Sequence, residues 1–285
     1  MPTHVIDGID THYEVLGTGA PLLMFSPGGF DATIEKWRTL GVYARTKPLD
    51  HLSKRYQCIV FDRRETGESG GRIEAVTWHH YVQQGRGLLD HLGIPRAHLM
   101  GGCMGCSVAV AFAVTYPEAT RSMILWWPVG GAKYRINAES RFTQHLDFVV
   151  ERGLANVVAL VKGQTKSFSE DPRGGPWGSV IRRDEAFAQT YAAFDTSNYI
   201  RAVRNMMHGL FDRDTSPGAK PEDLLKLSIP TYIVPGRDAS HATSAARYLE
   251  ECIVGAQYWD APVDEQTEAR AATNLLGFLD GVATG

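Results

Sequence analysis

Several things are scarce in this sequence, and each scarcity excludes a class of protein. Four cysteines in 285 residues (Cys58, Cys103, Cys106 and Cys252) are too few for a disulfide framework at this size. No apolar run approaches the roughly 20 residues that span a bilayer. Residues 1–7 lack a basic stretch followed by an apolar core, so no signal peptide is expected and a cytoplasmic location is. The formal net charge is only −3, which argues against nucleic acid or an anionic membrane surface as a partner. Internal repeats and low-complexity tails are also missing. Histidine does not occur after His241.

What remains is ordinary globular composition, 44% hydrophobic and 21% charged, in a length that suits one large α/β domain with an inserted lobe. Continuous apolar runs at 21–25, 56–61, 97–100, 122–127 and 230–235 read as strands buried on both faces. Two short strands, 4–7 and 11–16, flank a turn at Gly8, and a last one is expected at 256–260. Helical patterns fill 33–52 (with a break at Pro48), 78–92, 107–114, 243–252 and 264–279. Strand and helix alternate, which predicts a mostly parallel sheet. The alternation stops at 130–218. There, helical patterns at 142–151, 155–161, 184–194 and 199–211, with a Gly/Pro loop at 170–178, predict a helical insertion over the sheet.

The stretch 99–109 organises the rest. A buried strand runs into Gly101-x-Cys103-x-Gly105 and then into a helix of small apolar residues. This is the nucleophile-elbow pattern with cysteine where serine is usual. Tiny neighbours let the central residue take a strained turn that lifts its side chain above the sheet edge. The helix N-terminus behind it favours a thiolate. Two other readings fit the same residues. One is tight packing around a buried cysteine; the other is a Cys103-x-x-Cys106 redox pair. A Cys103–Cys106 disulfide would silence the nucleophile, whereas a reduced Cys106 is a small core residue.

Four landmarks in order make the chain resemble the α/β-hydrolase superfamily over nearly its full length. Pro27-Gly28-Gly29-Phe30 falls at the family's oxyanion loop. Asp62-x-Arg64-x-x-Gly67-x-Ser69 matches its D-x-R-G-x-G-x-S, with Glu65 in place of the first glycine. The elbow follows, and Pro235-Gly236-Arg237-Asp238 matches the strand-seven turn that carries the acid. The resemblance implies an α/β fold with a mostly parallel eight-stranded sheet flanked by helices. Its core would be 1–129 and 219–285, and its helical cap, inserted after strand six, 130–218. Thioredoxin-like chains are far shorter and lack these partners, which demotes the redox reading. The elbow cysteine is similar to that of the dienelactone-hydrolase branch. The cap looks like that of prolyl-aminopeptidase, haloperoxidase and C–C hydrolase relatives.

The chain departs from the family at the base. The family keeps its catalytic histidine in the loop after the last strand, and 259–264 has none. His241, three residues after Asp238, is the candidate replacement. Asp238 would fix its tautomer and raise its basicity, and the imidazole would have to come within about 3 Å of the Cys103 sulfur or of a bridging water. Capping the next helix or facing solvent is its plainer alternative. The resemblance implies backbone N–H groups of Met104 and of Gly29 or Phe30 as oxyanion donors. Glu65 sits in a loop that borders the site in this fold. It is a candidate for tuning the nucleophile, or simply a partner of Arg63 or Arg64. Arg64 carries over as a residue that ties loops together. His208 could reach down from the cap; His79 and His80 are expected at the surface, and His145 has no evident partner. Asp260 reads as a second carboxylate or a turn residue. Trp127 and the cap aromatics, with Arg135, Arg141, Arg182, Arg183, Arg201 and Arg204, suggest a small, partly aromatic or cyclic substrate bearing an acid group.

The expected function is therefore that of a hydrolase with no cofactor and no metal. It would cleave an ester, lactone, thioester or 1,3-dicarbonyl C–C bond through a Cys103 thioacyl intermediate, with His241 moving the proton and Asp238 orienting it. Acyl transfer, lyase or decarboxylase chemistry at the same site is one rival. A ligand-binding protein that keeps the fold is another. The expected partner is a small-molecule substrate, and a homodimer is left open.

Overall fold

The computed structural model of the chain describes residues 2–283. Met1 and residues 284–285, the ends of the expected core, lie outside the described residues. The chain opens with a hairpin, β1 (Thr3–Ile6) and β2 (Ile9–Leu16), closed by Asp7 and Gly8. Both turn residues have positive φ, 51° and 70°, the two-residue geometry whose twist matches the strands.

Strands β3 (Ala20–Phe25), β4 (Tyr56–Phe61), β5 (Ala97–Gly102), β6 (Thr120–Trp126), β7 (Thr231–Val234) and β8 (Gln257–Tyr258) complete an eight-stranded sheet of order β1-β2-β4-β3-β5-β6-β7-β8. The pairs β1·β2 and β2·β4 are antiparallel, and the others are parallel. Short helices α1 (Lys36–Thr39), α2 (Gly41–Thr46) and α3 (Pro48–Leu52) follow β3. They replace the helical stretch that was expected, with a break at Pro48, over 33–52. The chain breaks at Leu40, which is extended, and at Lys47, which is left-handed with φ 45°. Pro48 then starts α3, where its missing N–H costs nothing.

Helices α4 (Trp78–His91) and α5 (Met104–Thr115) flank β5. Successive side chains of each central strand point to opposite faces. Leu23, Ile59, Leu99 and Leu125 join one core with α4 and α5. Met24, Val60, Met100 and Ile124 join the other, beneath α1–α3. Each fully buried aliphatic side chain contributes about 1.5–3 kcal/mol, so burial on both faces selects the apolar runs that mark these strands.

Between β6 and β7 lie α6 (Ala132–Arg152), α7 (Leu154–Lys162), α8 (Gly178–Arg183), α9 (Glu185–Ala192), α10 (Thr196–Leu210) and the short α11 (Pro221–Leu224). This segment sits on the loop after β3. The Phe30 ring packs edge-on against Phe142 and Phe168 at 5.5 and 5.4 Å. Trp177 Nε1 donates to Arg72 O (2.9 Å), and Arg183 Nη2 donates to Ser69 O (2.7 Å). Helix α12 (Thr243–Cys252) and helix α13 (Glu268–Ala283) then close the chain, α12 on the first core and α13 on the second. Among the described residues, no helix is long and apolar enough to cross a membrane.

Candidate active site

Cys103 stands between β5 and α5 with φ 54° and ψ −125°, a conformation that side chains rarely adopt. The glycines around it are sterically required. A Cβ on Gly101 would lie 2.5 Å from the Cys106 Cα, and one on Gly105 would lie 2.2 Å from Phe25 O. The turn is held by Cys103 N–H donating to Trp126 O (3.2 Å) and by Cys106 N–H donating to Cys103 O (3.1 Å). Cys103 is half-buried, at the N-terminus of a twelve-residue helix. Cys106 is buried, and its thiol donates to Gly101 O (3.1 Å) and Trp126 O (3.3 Å). All four cysteines are free thiols.

The β7 loop brings Asp238 and His241 to this turn. Asp238 Oδ1 accepts from the backbone N–H of Ser240 (2.8 Å) and of His241 (2.9 Å), a compact Asx turn. His241 Nδ1 lies 2.8 and 2.9 Å from the two carboxylate oxygens. A carboxylate only accepts, so Nδ1 carries the proton. The ring is held between its carboxylate and the Trp127 indole, 5.4 Å away. Gly236 leaves the room, since a Cβ there would fall 2.5 Å from the His241 Cβ. The other nitrogen, Nε2, is buried with no hydrogen-bond partner among the described residues, and the ring is within electrostatic reach of the Cys103 sulfur.

Burial alone would push the Cys103 thiol up. The His241 imidazolium and the backbone N–H groups of Gly28 and Met104 overcome that and hold the thiol below its usual value. Burial likewise opposes the imidazolium, but the sulfur and the Asp238 carboxylate raise His241 to about 10. The hydrogen bond from His241 holds Asp238 down to about 2. The three groups thus favour a thiolate–imidazolium–carboxylate arrangement.

The other candidates fall as follows. Met104 N–H faces the sulfur. The second backbone donor toward it is Gly28, one residue before the expected Gly29, and Gly29 and Phe30 line a neighbouring cavity instead. Glu65 is buried with φ 67°, the conformation that makes glycine usual at this place in the motif. Its Oε1 accepts from Arg64 Nε (2.9 Å), and burial raises the carboxyl to about 7. Arg64 is buried and also bonds Glu74, tying the loop after β4 to the residues before α4. Trp127 is itself left-handed (φ 54°) and braces His241. His208 is a correction: it is exposed on α10, on a polar face of that helix, and does not join the groups around the sulfur. His145 has partners after all, Tyr199 OH (2.6 Å) and Arg173 O (3.0 Å). Asp260 points outward, 81% exposed, and pairs with Arg247 at 3.1 Å.

Sequence reasoning gave no site role to three residues, Gly28 and Tyr134 around the sulfur and Arg63 beside Met104. Gly28 was visible as a member of the expected oxyanion stretch 27–30, with Gly29 or Phe30 named as its donor. Tyr134 is buried, and its phenol is pushed up first by burial and then by the Cys103 sulfur. Arg63 lies under the Met104 thioether. Phe30, Tyr134, Phe142, Phe168 and Phe211 line a narrow apolar cavity with Arg141 in its wall. A larger, open groove lined by Tyr232, Asn274 and Phe278 begins at Pro230, at the opposite end of β7, away from this chemistry. Among the described residues, no cluster of three His, Cys, Asp or Glu side chains could hold a metal ion.

Comparison with known proteins adds to this picture. The family model of the alpha/beta hydrolase fold matches residues 21–238. The chain is similar to 2-hydroxy-6-oxo-6-phenylhexa-2,4-dienoate hydrolase of Comamonas testosteroni, 53% identical over 124 residues, 42% of this chain and 40% of that protein. It is also similar to a putative carbamate hydrolase of Azorhizobium caulinodans, 28% identical over 116 residues, 41% of this chain and 40% of that protein. The matched segments thus span two fifths of the length of these curated relatives. Among solved structures, the enol-lactonase of Burkholderia xenovorans LB400 superposes with a TM-score of 0.62 over 98% of this chain and 100% of its own, at 19% identity. That likeness is one of fold.

Proposed function

The chain belongs to the alpha/beta hydrolase fold family, and we propose that it hydrolyses a small carbonyl compound through a thioacyl intermediate on Cys103. The observation that carries this reading is the Asp238–His241 pair, 2.8 Å apart, with the free imidazole nitrogen turned to an elbow sulfur. The thiolate attacks the carbonyl carbon and the C=O electron pair moves to oxygen. Met104 N–H and Gly28 N–H, which lie against the sulfur, would then donate to the oxyanion that forms beside it. As the tetrahedral adduct collapses, His241 passes its Nε2 proton to the leaving group. Neutral His241 then takes a proton from water, the hydroxide adds to the thioester, and the thiolate leaves with the acid product. Asp238 holds the tautomer throughout.

The names of the similar proteins (a dienoate hydrolase, a carbamate hydrolase, an enol-lactonase) support hydrolysis of a small carbonyl compound. A helical cap over residues 130–218 fits the aromatic-lined cavity and favours a substrate with an apolar or aromatic part. The chemistry uses only the chain's own groups. Free thiols throughout suit the cytoplasm. The test is rapid quench of the protein with 4-nitrophenyl acetate, followed by intact-mass measurement. One added acyl group, absent from Cys103→Ala and decaying to free acetate, is the expected result. An unlabelled wild type that still hydrolyses the ester would overturn the cysteine mechanism. Acyl appearing on an added alcohol would show transfer instead.

A further inference from the structure

We propose that Arg63 is an anion-recognition group that binds a carboxylate on the acyl part of the substrate, beside the nucleophile; this rests on the reading of Cys103 as the acyl acceptor. Arg63 follows the C-terminal end of β4, next in the sheet to the β3 strand that carries the oxyanion loop. Ligands of open α/β sheets bind at these strand ends. Its backbone N–H donates to Ala32 O at 3.0 Å, which fixes it to that loop.

The side chain is only 4% exposed, yet its charge is uncompensated. Nε and Nη1 are buried with no hydrogen-bond partner among the described residues. The remaining nitrogen, Nη2, meets the Met104 thioether, 3.8 Å away and a weak acceptor, and the neutral Tyr81 phenol lies within hydrogen-bonding reach of the guanidinium. The adjacent carboxylates are engaged elsewhere. Asp62 accepts from Ile34 N–H (2.7 Å) and Glu68 N–H (2.8 Å), and Glu65 Oε1 is held by Arg64 (2.9 Å) while its Oε2 makes no hydrogen bond to Arg63. A buried guanidinium without an anion is strongly unfavourable. The Tyr81 ring covers one face of it, 4.5 Å from the guanidinium carbon, and offsets part of that cost. Stacking on a face leaves the N–H edge free, and that edge is what recognises carboxylates.

The position connects this group to the chemistry. Met104 is the residue after Cys103; its N–H faces the sulfur and its side chain lies on the guanidinium. Tyr134 lies within electrostatic reach of both Cys103 and Arg63. The unbranched Met104 side chain is the cover that must rotate away to admit the anion, a movement methionine makes easily. A substrate carbonyl on Cys103 would then carry its carboxylate under Met104.

The test compares two activated esters of similar length, mono-4-nitrophenyl glutarate and 4-nitrophenyl valerate, which differ in the terminal carboxylate. The readout is the ratio of their kcat/KM values in the wild type, in Arg63→Met and in Arg63→Lys, with acylation of Cys103 by 4-nitrophenyl acetate followed in parallel. The ratio is expected to fall roughly 10- to 100-fold in Arg63→Met, mainly through KM for the glutarate, since a hydrogen bond to a charged group is lost. Arg63→Lys, which keeps a charge without the fork, should fall between. A ratio within twofold of wild type in either folded variant, with Cys103 still acylated, overturns the proposal. No acylation of Cys103 in the wild type would overturn the mechanism beneath it, and the proposal with it.

Discussion

The loops after β7 and β8 are neighbours at the same end of the sheet, yet they divide the work unequally. The β7 loop holds a carboxylate and an imidazole within four residues, Asp238 and His241, joined at 2.8 Å. The β8 loop is where the family resemblance puts the histidine, and there Asp260 faces solvent and pairs with Arg247. The inward residue of that second loop is Gln266, fully buried. It accepts from Trp127 Nε1 (2.8 Å) and donates to Pro235 O (2.9 Å), so it braces the first loop. On the proposed reading, the fold does not dictate which loop supplies the base. What it requires is an imidazole that reaches the elbow from a loop stiff enough to aim it.

The comparison can be broken by substitution. His241→Ala should lower kcat/KM for an activated ester by about 1,000-fold, the usual scale for losing a general base together with its charge. Steady-state rates with 4-nitrophenyl acetate measure it, and a loss under tenfold would mean that another group moves the proton. Asp238→Asn should cost roughly 100-fold, because the amide no longer holds Nδ1–H or stabilises the imidazolium. Gln266→Ala leaves Trp127 Nε1 without its acceptor. It should slow turnover only threefold to tenfold and lower stability by about 1–2 kcal/mol, a fall in Tm of roughly 2–8 °C by calorimetry. Asp260→Ala should leave kcat/KM within twofold. A large loss there would give the β8 loop a chemical role that its outward geometry denies.

The strands were legible because burial on both faces demands unbroken apolar runs. The elbow was legible because only glycine fits at 101 and 105. His241 could be picked out because no histidine follows it. Other features depend on contacts distant in sequence. The first ten residues of α6 are largely polar and exposed, with Tyr134 and Ala138 as the buried positions, so the helix was expected only from 142. The left-handed Glu65 looks like an ordinary substitution until its φ is seen. Arg63 differs from Arg64 only in what surrounds it. Arg64 meets Glu65 and Glu74, whereas Arg63 meets an aromatic face and a thioether.

The central claim is that His241, from the β7 loop, keeps the elbow sulfur anionic. Its most direct test is the pH dependence of Cys103 alkylation by iodoacetamide, followed by intact mass from pH 5 to 9, in the wild type and in His241→Ala. The thiol lies below its usual value in the folded protein, so alkylation should persist to lower pH than for a free cysteine and fall only as pH drops through that lowered value. In His241→Ala, burial is opposed only by the Gly28 and Met104 N–H groups, and the profile should move upward. Superimposable profiles for the two proteins would contradict the account.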